Sequence, residues 1–151
     1  EATARLGVTK PSPRSIGIAV AAVVTAFLIS MIGSALTVAF QPNYADSLRD
    51  TVDQMTTGVQ NPAGALILGF STGVGEELLF RGAIQPRFGI VIASLTWTLL
   101  HAQYGLSFVL VGLFGIGILL GYIRKYMGTT AAMITHGLYN VIVVLLQTYL
   151  A

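Results

Sequence analysis

Charge is what this chain most lacks. Only 9% of its 151 residues are Asp, Glu, Lys or Arg, against about a quarter in an ordinary soluble domain. That leaves too little polar surface for water and excludes a soluble globular enzyme. Cysteine is absent, which removes disulfides, thiolate metal sites and a cysteine nucleophile. Two histidines leave little capacity for axial ligation of haem or chlorophyll. HExxH, Walker and GxGxxG motifs are all missing, as are internal repeats. The net charge is only +2, with its cations scattered between apolar runs, so the basic pI marks no nucleic-acid partner. What remains is apolar: 54% hydrophobic residues and a mean hydropathy of +0.78. The composition describes one integral membrane protein.

Charges and turn residues divide the chain into about five apolar spans, an all-α polytopic bundle. The first, Ile16–Phe40, has no charged residue and is long enough to cross a hydrocarbon core of about 30 Å. Arg5, Lys10 and Arg14 precede it as in a signal peptide, but its length makes it an anchor. The chain starts at Glu1 rather than Met, which points to a longer natural N-terminus. Gln41–Asn61 is polar and reads as a loop or surface helix. The second span starts near Pro62 and runs to about Phe80, and Pro86 is expected to break the helix after Arg81. Phe88–Ile123 lacks charge and would measure about 54 Å as one helix, so Gln103, Tyr104 and Gly105 are expected to split it into two spans. Thr129–Leu150 is the fifth. Residues 1–61 thus form a basic segment, an anchor and a polar loop, and 62–151 a four-helix core. Basic residues alternate between the loops, which predicts a cytoplasmic N-terminus.

Five ionisable residues lie within these spans, and each is costly in lipid. Glu77 and Arg81 are i,i+4 on one helix face and are expected to form a structural ion pair. Glu76 lies about 100° round that helix and has no such partner. His136 and Asn140 share a face by the same spacing, as do Trp97 and His101. Trp97 reads as a packing or lipid-facing aromatic. Counted from the nearest cytoplasmic cations, Glu76, His101 and His136 lie at most about 16, 21 and 16 Å deep. Glu76, His101, His136 and Asn140 are therefore expected to converge on one cavity open to the cytoplasmic side. The Gly69–Gly73 and Gly117–Gly121 pairs read as close helix-packing surfaces. Two hydrolytic schemes fit the polar residues. Glu76, His101 and His136 could ligate zinc, with the second glutamate as base. Without metal, Glu76 and a histidine could activate water while the other histidine and Asn140 hold an oxyanion. The amide of Asn140 is a poor zinc ligand and a good oxyanion donor, so no cofactor is expected.

Three segments sharpen this reading: GEELLFRGAIQ at Gly75–Gln85, WTLLH at Trp97–His101 and HGLYN at His136–Asn140. Together they resemble the CPBP family of intramembrane proteases, which includes the CAAX prenyl proteases and bacterial Abi-type bacteriocin-processing and self-immunity proteins. The family pattern is EExxxR, FxxxH and HxxxN or HxxxB in that order, and the resemblance covers about Gly64–Val144. One departure stands out: Trp97 takes the place usually held by Phe. The resemblance implies a glutamate-dependent endopeptidase. In it Glu76 and His101 prime water, His136 and Asn140 stabilise the oxyanion, and zinc is the alternative. It also implies a membrane-associated peptide or protein substrate in a bacterial inner membrane, with membrane lipid as the other partner. The competing classes are a non-catalytic membrane subunit or assembly factor and a proton or ion pathway.

Overall fold

A computed structural model describes residues 1–150, and every regular element among them is a helix. Lipid offers no water to backbone N–H and C=O groups, so a chain this apolar must satisfy them within helices. In chain order these are α1 (Ala2–Arg5), α2 (Pro13–Phe40), α3 (Pro42–Thr56), α4 (Pro62–Glu77), α5 (Gln85–Leu99), α6 (Phe108–Met127) and α7 (Thr129–Leu150). Two of the spanning helices start as their sequences dictate. The side chains of Ser12 and Asn61 accept from the backbone N–H of Ser15 and Gly64, with Pro13 and Pro62 in the first turn. The polar segment after α2 is the surface helix α3, with Leu48 as its one buried residue.

Four helical stretches are long and apolar enough to cross a membrane: Pro13–Phe40, Pro62–Leu99, Phe108–Met127 and Thr129–Leu150. The second is folded on itself. A π-helical stretch, Leu78–Ile84, carries α4 into α5, and the chain then reverses at Gly89 (φ 84°, ψ 171°). An L side chain rarely adopts that φ. On a straight helix Glu76 and Trp97, 21 residues apart, would be separated by about 31 Å; after the reversal they are hydrogen-bonded. Pro86 therefore does not break the helix. The Gln85 N–H reaches back to Phe80 O in the wider π register, and Pro86 falls in the first turn of α5, where a missing N–H is tolerated. The expected third span is shortened accordingly. Its helical arm, Ile90–Leu99, rises only about 15 Å and is followed by the short turn Ala102–Tyr104.

Both glycine pairs lie in helix seams. Gly69 and Gly73 face Gly137 of α7, while Gly117 and Gly121 receive Ser94 and Ile90 of α5. Gly33 of α2 packs on Phe108 and Gly112 of α6. Small residues let backbones approach closely, which substitutes for the hydrophobic drive that lipid removes. Trp97, Phe80, Ile116 and Leu120 fill the core with Ala19, Ala26, Ala131 and Ala132. Val24, Phe70 and Val111 stay exposed on the outer faces, as lipid-facing residues should. The basic start of the chain is tied to α7: the hydroxyls of Thr129 and Thr130 donate to Leu6 O (2.6 Å) and Thr9 O (2.7 Å), and Thr129 N–H donates to Gly7 O (2.8 Å).

The seam makes a paired prediction. A Cβ at Gly73 would stand 2.9 Å from Gly137 Cα and 3.0 Å from Met133 O, whereas one at Gly75 meets nothing within 4 Å. Gly73→Ala should destabilise the bundle by about 1–3 kcal/mol. Gly75→Ala should leave stability unchanged or raise it by up to about 1 kcal/mol. Unfolding followed by circular dichroism in mixed micelles measures both.

Candidate active site

The site is built on α4, the arm of α5 and α7, around a buried ion cluster. Glu77 and Arg81 are wholly excluded from solvent. Arg81 Nη1 lies 3.2 Å from Glu77 Oε1 and its Nη2 donates to Gly117 O on α6 at 3.1 Å. The same carboxylate oxygen is 2.9 Å from His136 Nδ1 on α7. The i,i+4 pair read from the sequence is present, but it is a triad. Spacing along one helix could not reveal that His136, 59 residues away, would be drawn to Glu77 rather than left beside Asn140.

Glu76 has the opposite environment. It is half-buried, and its Oε2 accepts from the indole N–H of Trp97 at 2.5 Å. The indole ring stands 4.6 Å from the His101 ring and 5.6 Å from the His136 ring, and Arg81 lies over it at 5.2 Å, all between centres. Glu76, His101 and His136 thus meet around one buried indole. The reading of Trp97 as a mere packing aromatic is corrected: it packs, and it also donates. The missed signal was chemical, since an indole has a donor that the usual Phe lacks.

The hydrogen bonds select which imidazole nitrogens remain free. His101 Nδ1 is 2.9 Å from Trp97 O; a carbonyl only accepts, so that nitrogen carries the proton and Nε2 is the ring's free position. His136 Nδ1 faces a carboxylate, leaving Nε2 as its free position too. Asn140 Nδ2 donates to Thr72 Oγ1 at 2.8 Å, and Thr72 in turn donates to Leu68 O. His136 and Asn140 therefore have different partners on α4 despite their shared face. Thr72 escaped the sequence reading although it lies four residues before Glu76, one turn up the same helix.

Two cavities lie away from these residues. One is an apolar groove of about 410 Å³ between α4 and α7; the other, about 690 Å³, is lined by basic residues of the chain's start and the end of α6. Glu76, His101 and Asn140 line neither; they form a cluster of half-buried groups. His101 stacks on Tyr104 at 6.2 Å, beneath Tyr44 of α3. The cluster therefore extends from mid-bundle toward the end opposite the basic residues. Among the described residues no group of three His, Asp or Glu side chains is arranged to hold a metal ion. Glu76 is turned to Trp97, while His101 and His136 each keep Nε2 free.

The division between the two glutamates is measurable. Arg81→Ala strands the Glu77 carboxylate and leaves Gly117 O without its donor, which should cost about 3–5 kcal/mol. Glu76→Gln keeps an acceptor for Trp97 and should leave the melting temperature within about 2 °C of wild type, since the change involves no buried ion pair. Thermal melts in detergent for the two variants report the difference; the reverse ranking would mean the roles are exchanged.

Residues 58–142 match the family described as type II CAAX prenyl endopeptidase Rce1-like. Neither a curated protein nor a solved structure matches the chain. The matched segment is more than half the chain and contains Glu76, Glu77, Arg81, His101, His136 and Asn140. This helical membrane protein belongs to the Rce1-like family of CAAX-type intramembrane proteases.

Proposed function

We propose that the chain is a glutamate-dependent intramembrane endopeptidase that cleaves a membrane-associated peptide or protein by metal-independent water activation. The observation that carries the reading is the Trp97 indole. It holds the Glu76 carboxylate at one edge and the two imidazoles against its ring. Glu76, assisted by His101 Nε2, takes a proton from water as the oxygen attacks the scissile carbonyl. The remaining N–H of Asn140 and the His136 imidazole receive the resulting oxyanion. Collapse of the tetrahedral intermediate breaks the C–N bond, and Glu76 returns its proton to the leaving amine. Glu77 anchors His136 without touching the reacting atoms. Trp97 orients Glu76 and acts as a positioning residue. The excess of basic residues at one end supports a cytoplasmic placement of that end, in a bacterial inner membrane.

The test is a membrane-peptide library incubated with the purified protein. Glu76→Gln should abolish the products while the variant melts normally. Trp97→Phe removes one hydrogen bond to a charged group, so kcat should fall about 10- to 100-fold with KM little changed. Chelators should leave turnover intact. Cleavage that survives Glu76→Gln, or that is lost to chelation and restored by zinc, would overturn the mechanism.

A further inference from the structure

The basic end of the bundle carries a second set of polar groups that takes no part in the proposed hydrolysis. A cavity of about 690 Å³ opens there, lined by Lys10 and Arg14 from the chain's start and by Arg124 and Lys125 from the end of α6. No carboxylate lines it, and the only ion pairs among the described residues are those of Glu77. All four cations are therefore without a counter-charge. Arg124 is the telling member: its Nε is buried with no hydrogen-bond partner among the described residues. Buried donors are almost always paired, so an orphaned guanidinium nitrogen needs an explanation. Thr9, Ser12 and Ser15 add hydroxyls to the same wall, and Ser12 and Ser15 form the first turn of α2, whose N-terminus favours anions.

A preference for cations on one side of a membrane explains their sidedness. It does not explain their convergence. Two segments more than a hundred residues apart are brought together by the hydrogen bonds from Thr129 and Thr130 to Leu6, Gly7 and Thr9. The cavity also borders lipid. Ile18 lines it and is exposed, and Tyr126, another lining residue, stacks on Tyr122 along the outer face of α6. Tyrosines at this level are typical of the headgroup zone.

We infer that this cavity is a binding site for a phosphate group, with the headgroup of an anionic phospholipid as its occupant and the acyl chains lying along exposed α2. An arginine fork matches phosphate geometry, and lysines add point charges. The inference is independent of the proposed hydrolysis. The full chain, purified in detergent, is offered phosphatidylglycerol, phosphatidylcholine or inorganic phosphate, and native mass spectrometry and thermal melts are recorded. Wild type should retain phosphatidylglycerol over phosphatidylcholine and melt higher with it. The double variant Arg14→Gln/Arg124→Gln should bind it about five-fold more weakly for each cation removed, the scale of one cation's attraction to an anionic surface. Arg49→Gln on α3 should behave as wild type. Equal protection by inorganic phosphate would identify free phosphate as the source. If the double variant does not fold, Lys10→Gln/Lys125→Gln, which alters exposed side chains only, replaces it. Wild type showing no lipid preference and no phosphate protection, or a variant that matches wild type in both, would overturn the assignment.

Discussion

The buried cluster of Glu77, Arg81 and His136 is the constraint on which the remaining architecture rests. An isolated carboxylate or guanidinium in a hydrocarbon slab is so costly that each requires the other. Here the requirement extends across three helices, because Arg81 also bonds Gly117 O on α6 and Glu77 also holds His136 on α7. Once Glu77 is committed to the interior, the helix geometry turns its neighbour Glu76 by about 100°, toward the arm that carries Trp97. The Glu76 carboxylate is thus aimed by the burial of Glu77.

Close approach of α4 and α7 is the second condition. A hydrogen bond such as His136 Nδ1 to Glu77 at 2.9 Å, or Asn140 to Thr72 at 2.8 Å, requires two backbones to pass nearer than large side chains allow. Gly69, Gly73 and Gly137 open that path. The seam and the polar contacts are one device, with small residues bringing polar side chains within reach and polar contacts holding the seam shut in a solvent that provides no hydrophobic drive. The π-helical stretch complements it. By widening the register just before Pro86, it keeps Arg81 and Gln85 on the face toward α6, where they donate to Gly117 O and Gly121 O.

Family membership and local physics contribute different things. The matched segment, residues 58–142, begins after α2, yet α2 is packed in the same bundle, where Ala19 O accepts from the Thr135 hydroxyl and Gly33 abuts α6. The family supplies the reaction class. The chain's own departure, an indole where Phe is usual, adds a donor beside Glu76 and therefore alters how the carboxylate is held rather than which groups are present.

Composition determined the solvent, and long uncharged runs without the alternation of barrel strands determined the fold class, since helices then satisfy the backbone in lipid. Spacing within one helix was equally legible: Glu77–Arg81 as a pair, the two GxxxG seams, and the split near Tyr104 all follow from periodicity and length. The short third arm was not legible, since it depends on a positive φ at Gly89 and on a π register that absorbs Pro86, neither of which leaves a pattern in hydropathy. Nor was the choice between Glu77 and Asn140 as the companion of His136, or the bond from Trp97 to Glu76. Those are contacts between helices, and helical periodicity records only which residues share a face. Which face meets which, and at what depth, is set by the glycine seams and the buried charges acting together in the assembled bundle.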